Sequence, residues 1–495
     1  MIQFLLNNEV VNIQHEKADL TVLQFLREKR SMTGTKEGCA SGDCGACTIV
    51  TADVDENGLA HYTSINSCIT FLSALHGKQV LTVEHLQNEQ NLHPVQNAMV
   101  KYNGSQCGFC TPGFVMSMFA LYKQAEQGLL NKSSDSAEQS APIKRHEVID
   151  ALSGNLCRCT GYRPIIEATL QACDDAKADK FTQEWPHTVK KLLAIKHAEA
   201  AVGTANLLMP RSRDELADAI AAYPNAPLLA GSTDLALSST QMLQDLKIMI
   251  SLSAMSSLKR VETSQNMLVI GAACTFSETE SVLLQYFPDL FEVITRFASR
   301  PIRNQATIGG NVANASPIGD MPPVLIALGA KIKLDNGQTT RFLNIEDFFI
   351  DYKKTELAAN EWLDSIHIPL PNPDQLIRVY KVSKRNEDDI SAVCLALNLQ
   401  LEEGLIKNFN AGFGGVAAIP SACQALNDEL VNKAWSSTEA LSLAQQIVKN
   451  SFVPITDVRA SSQYRTQILQ NLLHRFWLET NSHAHKIATR VEQHA

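Results

Sequence analysis

The stretch Glu37–Thr48, EGCASGDCGACT, places three cysteines and three glycines in twelve residues. Cys44 and Cys47 lie too close together, in a segment too rich in glycine, for a routine stapling disulfide. A metal site is the alternative, with glycines letting the backbone curl around what the thiols hold. Cys39, Cys44 and Cys47 run C-x4-C-x2-C, and Cys68 follows after twenty intervening residues. That is the spacing of the plant-type [2Fe–2S] ferredoxin loop. Four thiolates must converge on two irons while backbone N–H groups turn towards the cluster sulfurs, which Gly38, Gly42 and Gly45 permit. Zinc is the competing reading, but structural zinc sites favour paired C-x2-C knuckles, so the spacing favours iron and sulfur.

Four more of the twelve cysteines form two pairs, Cys107 and Cys110 in QCGFCTPG and Cys157 and Cys159 in GNLCRCTGYRP. C-G-F-C by itself suits a thioredoxin-like redox pair or half a zinc knuckle. C-x-C is rare in either, and together the pairs make a complete ligand set. Cys173, Cys274, Cys394 and Cys423 are scattered among apolar residues and read as core. The N-terminus lacks a basic stretch and a long apolar run, and no segment approaches the roughly 18–20 apolar residues of a membrane span. The expectation is a cytoplasmic chain, where clustered thiols serve as ligands more often than as disulfides. A net charge of −9 argues against nucleic acid and anionic membranes as partners.

With 495 residues, three or four domains are expected at about 150 residues each. IQFLLNNEVVNI is two apolar runs around Asn7–Asn8, a hairpin signal, and Asp19 or Thr21 can cap a helix carrying Leu23, Phe25 and Leu26. Hairpin, helix and ligand loop suit a β-grasp ferredoxin domain over 1–84. From 85 to 176 the pattern is helical, with Phe114, Met118 and Leu121 as a core stripe. Within it, EQGLLNKSSDSAEQSAP reads as an exposed loop. DDAKADKFTQEWPHTVKK has few apolar positions, and 177–200 is expected to be a linker. An α+β domain follows over 201–375, with strands at APLLAG, LKIMISL and MLVIGAA. A second α+β unit covers 376–480, with strands AVCLALNL and LIKNFNAGF and a final amphipathic helix, DVRASSQYRTQILQNLLHRF. Residues 481–495 are a tail.

Two glycine-bearing stretches stand out in the third domain, LLAGSTDLAL (228–237) and QATIGGNVANASPIGD (305–320). Neither is the G-x-G-x-x-G of a dinucleotide fold. Both offer unhindered backbone N–H groups and small hydroxyls, as a pyrophosphate requires, and either by itself could be only a tight turn.

The two sets of four cysteines, GNLCRCTGYRPI, AGSTDL, TIGGNVANASPIGD and DVRASSQYR together resemble the molybdenum hydroxylases, the xanthine dehydrogenase and aldehyde oxidase family. The resemblance runs from Met1 to about Phe476, in the arrangement where iron–sulfur and flavin domains share one chain and the molybdenum cofactor sits on another. It implies a multidomain α+β fold: a β-grasp ferredoxin domain, a helical-bundle [2Fe–2S] domain, an FAD-binding domain of the PCMH type and a CO-dehydrogenase-flavoprotein-like C-terminal domain. One [2Fe–2S] cluster is implied on Cys39, Cys44, Cys47 and Cys68, and a second on Cys107, Cys110, Cys157 and Cys159. FAD is implied along Leu228, Leu229, Ala230, Gly231, Ser232, Thr233, Asp234 and Leu235, and along Thr307, Ile308, Gly309, Gly310 and Asn311. Phe297, Asp320, Leu363 and Lys381 are its further contacts, and Tyr352, Arg385 and Asp388 fall near where a nicotinamide would approach. The implied function is electron transfer in hypoxanthine and xanthine oxidation, with no catalytic residue in this chain. Electrons would come from a molybdopterin-bearing large subunit and end on NAD+, in a hetero-oligomer such as (αβ)2. The alternatives are an aldehyde, nicotinate or CO hydroxylase, or a zinc-binding scaffold. The 46 residues between Cys110 and Cys157 exceed the family's pattern, and the Ser-rich loop supplies the excess.

Overall fold

The computed structural model describes residues 1–55, 57–88, 91–130, 142–198, 202–481 and 489. Most of the Ser-rich stretch, 131–141, and nearly all of the tail lie outside these. The chain divides into two compact units: Met1–Arg211 with Asn225–Ala254 and Ser299–Ala306, and Ser212–Pro224 with Met255–Ala298 and Thr307–Ala495. The first unit thus takes in 225–254 and 299–306, which the sequence reading put in the third domain.

The first unit opens on the expected hairpin. Ile2–Leu6 pairs antiparallel with Glu9–Ile13, Phe4 opposite Val11, and Asn7 takes the left-handed conformation that the turn needs (φ 56°). The five-stranded sheet runs Glu9–Ile13, Ile2–Leu6, Gln79–Leu81, Thr48–Val54, Ala60–Asn66, with the first and third of these strands in chain order flanking the short Gln79–Leu81. Thr21 is the helix cap, its hydroxyl accepting from Gln24 N–H while Gln24 reaches back. Asp19 instead accepts from Ser239 and from Leu246 N–H.

Helices Pro94–Lys101, Thr111–Glu126, Arg145–Leu152 and Arg163–Asp174 follow. Phe114, Met118 and Leu121 are buried, as expected, and so is every residue from Gly113 to Lys123. A helix enclosed on all sides has no polar face to show: Phe119 meets Tyr62 of the sheet edge to face, with ring centroids 5.9 Å apart.

The expected linker is instead the helix Lys180–Lys196, capped by Asp179. Phe181, Thr188, Leu192 and Ile195 form its buried stripe, at spacings of seven, four and three. Polar residues outnumber these four, which hid the period. A small sheet ordered Gly203–Thr204, Leu207–Leu208, Met249–Ser251, Leu228–Leu229 completes the unit. Leu207, Leu229 and Met249 share one apolar cluster with Phe4, Ile49 and Ile69, which is why these segments join the ferredoxin-like sheet.

Among its described residues the second unit holds a two-stranded sheet, Phe349–Asp351 with Lys354–Thr355, and two larger ones. One is antiparallel in the order Val261–Ser264, Met267–Gly271, Trp362–Pro369, Lys331–Asp335, Thr340–Asn344. The other runs Gln375–Val382, Val393–Glu402, Leu405–Gly414, Ser421–Ala422, with helices Gln424–Leu430, Thr438–Ser451 and Ser462–Asn481 beside it around Leu397, Phe409, Trp435 and Phe476. The final helix begins at Ser462, so Asp457–Ser461 are not helical as expected. Asp457 accepts from the N–H groups of Arg459 and Ala460 and from the guanidinium of the buried Arg465, and this local network competes with helix.

Candidate cofactor sites

In the loop before strand Thr48–Val54, Ala40, Gly42 and Gly45 all have positive φ (53°, 85° and 67°), which curls the backbone around its own thiols. A side-chain carbon at Gly38 would lie 2.7 Å from Cys44 Sγ, so the sulfur occupies the space that glycine leaves. The four sulfurs adjoin in a chain, Cys44 to Cys39 to Cys68 to Cys47. Hydrogen bonds from Cys44 and Cys68 push the Cys39 thiol down, and one from Cys68 does the same for Cys47. Cys44 and Cys68, as the donors, are pushed up. Four sulfurs adjoining in this way are a donor set for two adjoining metals. Among the described residues no three histidine, cysteine or carboxylate side chains close on a single ion.

The second set is nearer the surface. Cys107 and Cys159 are exposed and Cys110 and Cys157 half-buried. Cys110 adjoins Cys157, and Cys107 adjoins Cys159. Burial, with the hydrogen bond to Cys157, pushes Cys110 up to about 12. Burial also acts to raise Cys157, but the Thr160 hydroxyl and N–H, donating to its sulfur at 3.1 and 3.4 Å, bring it below the ordinary thiol value. Gly108, Gly161 and Tyr162 have positive φ (84°, 70° and 70°), and Phe109, Leu156 and Tyr162 around the set are exposed. Both sets therefore fit the clusters that the family resemblance implies. Cys173, Cys274, Cys394 and Cys423 are buried, as expected of core.

The flavin candidates divide between the units. Leu228–Leu235 lies in the first, where strand Leu228–Leu229 leads into Gly231. A side-chain carbon there would fall 2.0 Å from the Gln305 carbonyl. Ser232, at φ 63°, donates its hydroxyl to Ile69 O (2.7 Å).

The other candidates lie in the second unit. Thr307 caps the turn Ile308–Ala313, accepting from Gly310 N–H at 3.0 Å. Gly309 packs so tightly that a side-chain carbon would meet the Ala272 carbonyl at 2.5 Å, whereas Gly310 is exposed. Asn311 has a buried Oδ1 with no hydrogen-bond partner, the kind of orphan acceptor that a ligand donor satisfies. Lys381 donates to Asp320 Oδ2 at 2.5 Å and to Ser391 at 3.0 Å, and Ser391 donates to Asp320 Oδ1, so two candidates form one buried ion pair. Phe297 stacks on Phe276 with centroids 4.1 Å apart. Leu363 is buried in strand Trp362–Pro369.

Arg385 is exposed and donates to Asp388 O (2.7 Å), while Tyr352 stands exposed on the separate hairpin Phe349–Asp351 and Lys354–Thr355. Sequence reasoning missed Arg296, which fastens this loop by donating to Lys381 O, Asn386 O and Ser383 Oγ. Only its long-range partners distinguish it from any surface arginine. A cavity of about 460 Å³ in the same unit holds none of the flavin candidates. Of its three cations, Arg213 pairs with Asp335 (2.6 Å), while Arg260 (2.7 Å) and Lys333 (3.5 Å) share Asp364.

Four family descriptions match in tandem. A 2Fe-2S iron-sulfur cluster binding domain matches 6–73 and a [2Fe-2S] binding domain 82–170. The FAD binding domain in molybdopterin dehydrogenase matches 202–371, and the CO dehydrogenase flavoprotein C-terminal domain 378–480. The chain is 31% identical over 488 residues to a xanthine dehydrogenase/oxidase of Mus musculus, covering 88% of this chain and 35% of that protein. It is 32% identical to a xanthine dehydrogenase of Drosophila pseudoobscura pseudoobscura, covering 84% and 34%. It therefore spans about a third of the length of these relatives. Among solved structures, a CO dehydrogenase from Oligotropha carboxidovorans aligns at 25% identity and TM-score 0.52, covering 56% of this chain and 97% of that one. A quinoline 2-oxidoreductase from Pseudomonas putida 86 shares the fold at 23% identity and TM-score 0.50, with 55% and 95% covered. The cysteine sets, the domain order and these relatives agree: the protein belongs to the molybdenum hydroxylase family, as an iron–sulfur and FAD chain.

Proposed function

We propose that this chain is the electron-transfer subunit of a xanthine dehydrogenase, carrying electrons from a molybdopterin-bearing partner through two [2Fe–2S] clusters to FAD and on to NAD+. The observation that carries the reading is the alignment. Nearly nine-tenths of this chain matches about a third of each xanthine dehydrogenase, and the matched part is the run of iron–sulfur and flavin domains. The substrate site and its metal belong, in this reading, to a separate chain.

The cysteine sets have different tasks. The exposed set at Cys107, Cys110, Cys157 and Cys159 suits a docking partner, with Phe109, Leu156 and Tyr162 as apolar surface around it. The more buried set at Cys39, Cys44, Cys47 and Cys68 suits onward passage inside the chain. A flavin converts between the single electrons of a cluster and the hydride of NAD+. The residues that would hold it are the Leu228–Leu235 and Thr307–Asn311 segments for the pyrophosphate, with Phe297, Asp320, Leu363 and Lys381 as further contacts. The Arg385–Asp388 loop and Tyr352 would face the nicotinamide.

A CO- or quinoline-oxidising enzyme is the second reading, favoured by the solved structures. The chain should co-purify with a molybdenum protein, and the complex should reduce NAD+ with xanthine. The chain alone should pass electrons from NADH to a dye yet leave xanthine untouched. Reduction of the complex by CO or quinoline, and not by xanthine, would favour the second reading.

A further inference from the structure

The two cysteine loops of the first unit touch through their backbones. Leu156 N–H donates to the Cys44 carbonyl at 3.0 Å. Cys44 belongs to one sulfur set, and Leu156 directly precedes Cys157 of the other. An unbroken route therefore runs from Cys44 Sγ through its Cβ, Cα and carbonyl, across the hydrogen bond, and along Leu156 to Cys157 Sγ. Electron tunnelling decays less steeply along covalent and hydrogen bonds than across a gap, so the bond shortens the effective separation of the two sets.

A dedicated clamp holds this contact. Asn155 Nδ2 donates to Gly45 O at 3.0 Å and to Thr48 Oγ1 at 3.2 Å, and its Oδ1 accepts from the Ser117 hydroxyl at 2.6 Å. Thr48 Oγ1 in turn donates to Gly45 O at 2.7 Å. Asn155, Ser117 and Thr48 are 4%, 1% and 1% exposed, so each of these bonds forms out of water, where an unmet partner is costly. The Ser117 hydroxyl and the Gly45 carbonyl together fix which end of the amide faces each loop. No room is left over. A side-chain carbon at Gly45 would sit 2.4 Å from Gly154 O, and one at Gly113 would sit 2.1 Å from Gly45 O.

We propose that Asn155 is a positioning residue that holds the two cysteine loops backbone to backbone, so that single electrons pass between the two [2Fe–2S] sites through the Cys44–Leu156 hydrogen bond. The proposal rests on the reading that both sets carry clusters. In each passage one cluster is oxidised by one electron and the other reduced by one, with no bond broken and no proton moved.

The test uses the full chain and three variants, Asn155→Asp, Asn155→Ala and Ser117→Ala. Asn155→Asp keeps the volume and the acceptor for Ser117 but loses both donors to the other loop. Iron and sulfide content should match the parent in each. With both clusters reduced by dithionite, the spin–spin splitting of the low-temperature EPR spectrum should shrink or vanish in the Asn155 variants and weaken in Ser117→Ala. After photoreduction by one electron, redistribution between the clusters should slow several-fold in Asn155→Asp. Full iron with parental splitting and rate in both Asn155 variants would overturn the proposal, as would loss of one cluster from all three variants. A parent chain that carries no iron would overturn the cluster reading itself, and the proposal with it.

Discussion

On the proposed assignment each cluster takes four cysteines, so removing one thiolate leaves its cluster short while the other set keeps its full complement. Cys44→Ser should remove one cluster's visible absorbance and Cys157→Ser the other's; loss of both from either variant would contradict two separate sites. Glycine governs a second residue-scale outcome. Gly310 lies on the exposed side of its turn, and an aspartate there adds bulk and negative charge where a pyrophosphate is expected. Gly310→Asp should release FAD with both clusters retained, and full flavin content in that variant would refute the phosphate assignment. Gly45 is held at φ 67° against Gly154. Gly45→Ala should cost about 1–3 kcal/mol in backbone strain, on top of the overlap with that carbonyl, read as faster loss of the clusters on warming. The first cysteine set stands out in the sequence by its C-x4-C-x2-C spacing, whereas the second is two pairs that only the family resemblance joins into one ligand set. Asn155 and Arg296 were not legible, because their partners lie far along the chain and no local pattern points to them.

At the scale of elements, the helix Lys180–Lys196 is secured at its start by a buried polar cluster. Asp179 accepts from Lys123 at 2.8 Å and meets His93 Nε2 at 3.1 Å, and Lys123 also pairs with Glu126 and Thr182. Burial acts to raise the Asp179 carboxyl, but His93 and Lys123 outweigh it and hold it at about 2. A folded value below the unfolded one stabilises the helix dock above about pH 4, and that contribution is lost as pH falls towards 2. The difference amounts to roughly 2 kcal/mol. Amide protection in Lys180–Lys196, relative to the intrinsic rate at each pH, should therefore fall between pH 4 and 2, and Asp179→Asn should lower it already at pH 7. Exchange in the variant equal to the parent's at pH 7 would show that the pair does not hold the helix. This helix was read as a linker because four buried positions in seventeen residues give too thin a stripe to see. The same network logic explains DVRASSQYR, where Asp457 and Arg465 pair across the turn that precedes the final helix. The hairpin at Asn7–Asn8 and the buried helix Thr111–Glu126 were legible, since turn residues and a dense apolar run announce themselves locally.

For the whole molecule, tandem order was the legible feature: ferredoxin-like sheet, helical cysteine domain, then two α+β stretches. The assignment of 225–254 and 299–306 to the first unit was not, because apolar contacts between Leu229, Met249 and the ferredoxin-like core are invisible to any window of sequence. The proposed electron path requires two distinct [2Fe–2S] centres on one chain. Low-temperature EPR of the dithionite-reduced, anaerobically purified chain tests it most directly. Two resolvable signals are expected, together integrating to about two spins per chain, alongside about four irons and four labile sulfides. A chain that is EPR-silent after reduction and carries stoichiometric zinc would contradict it.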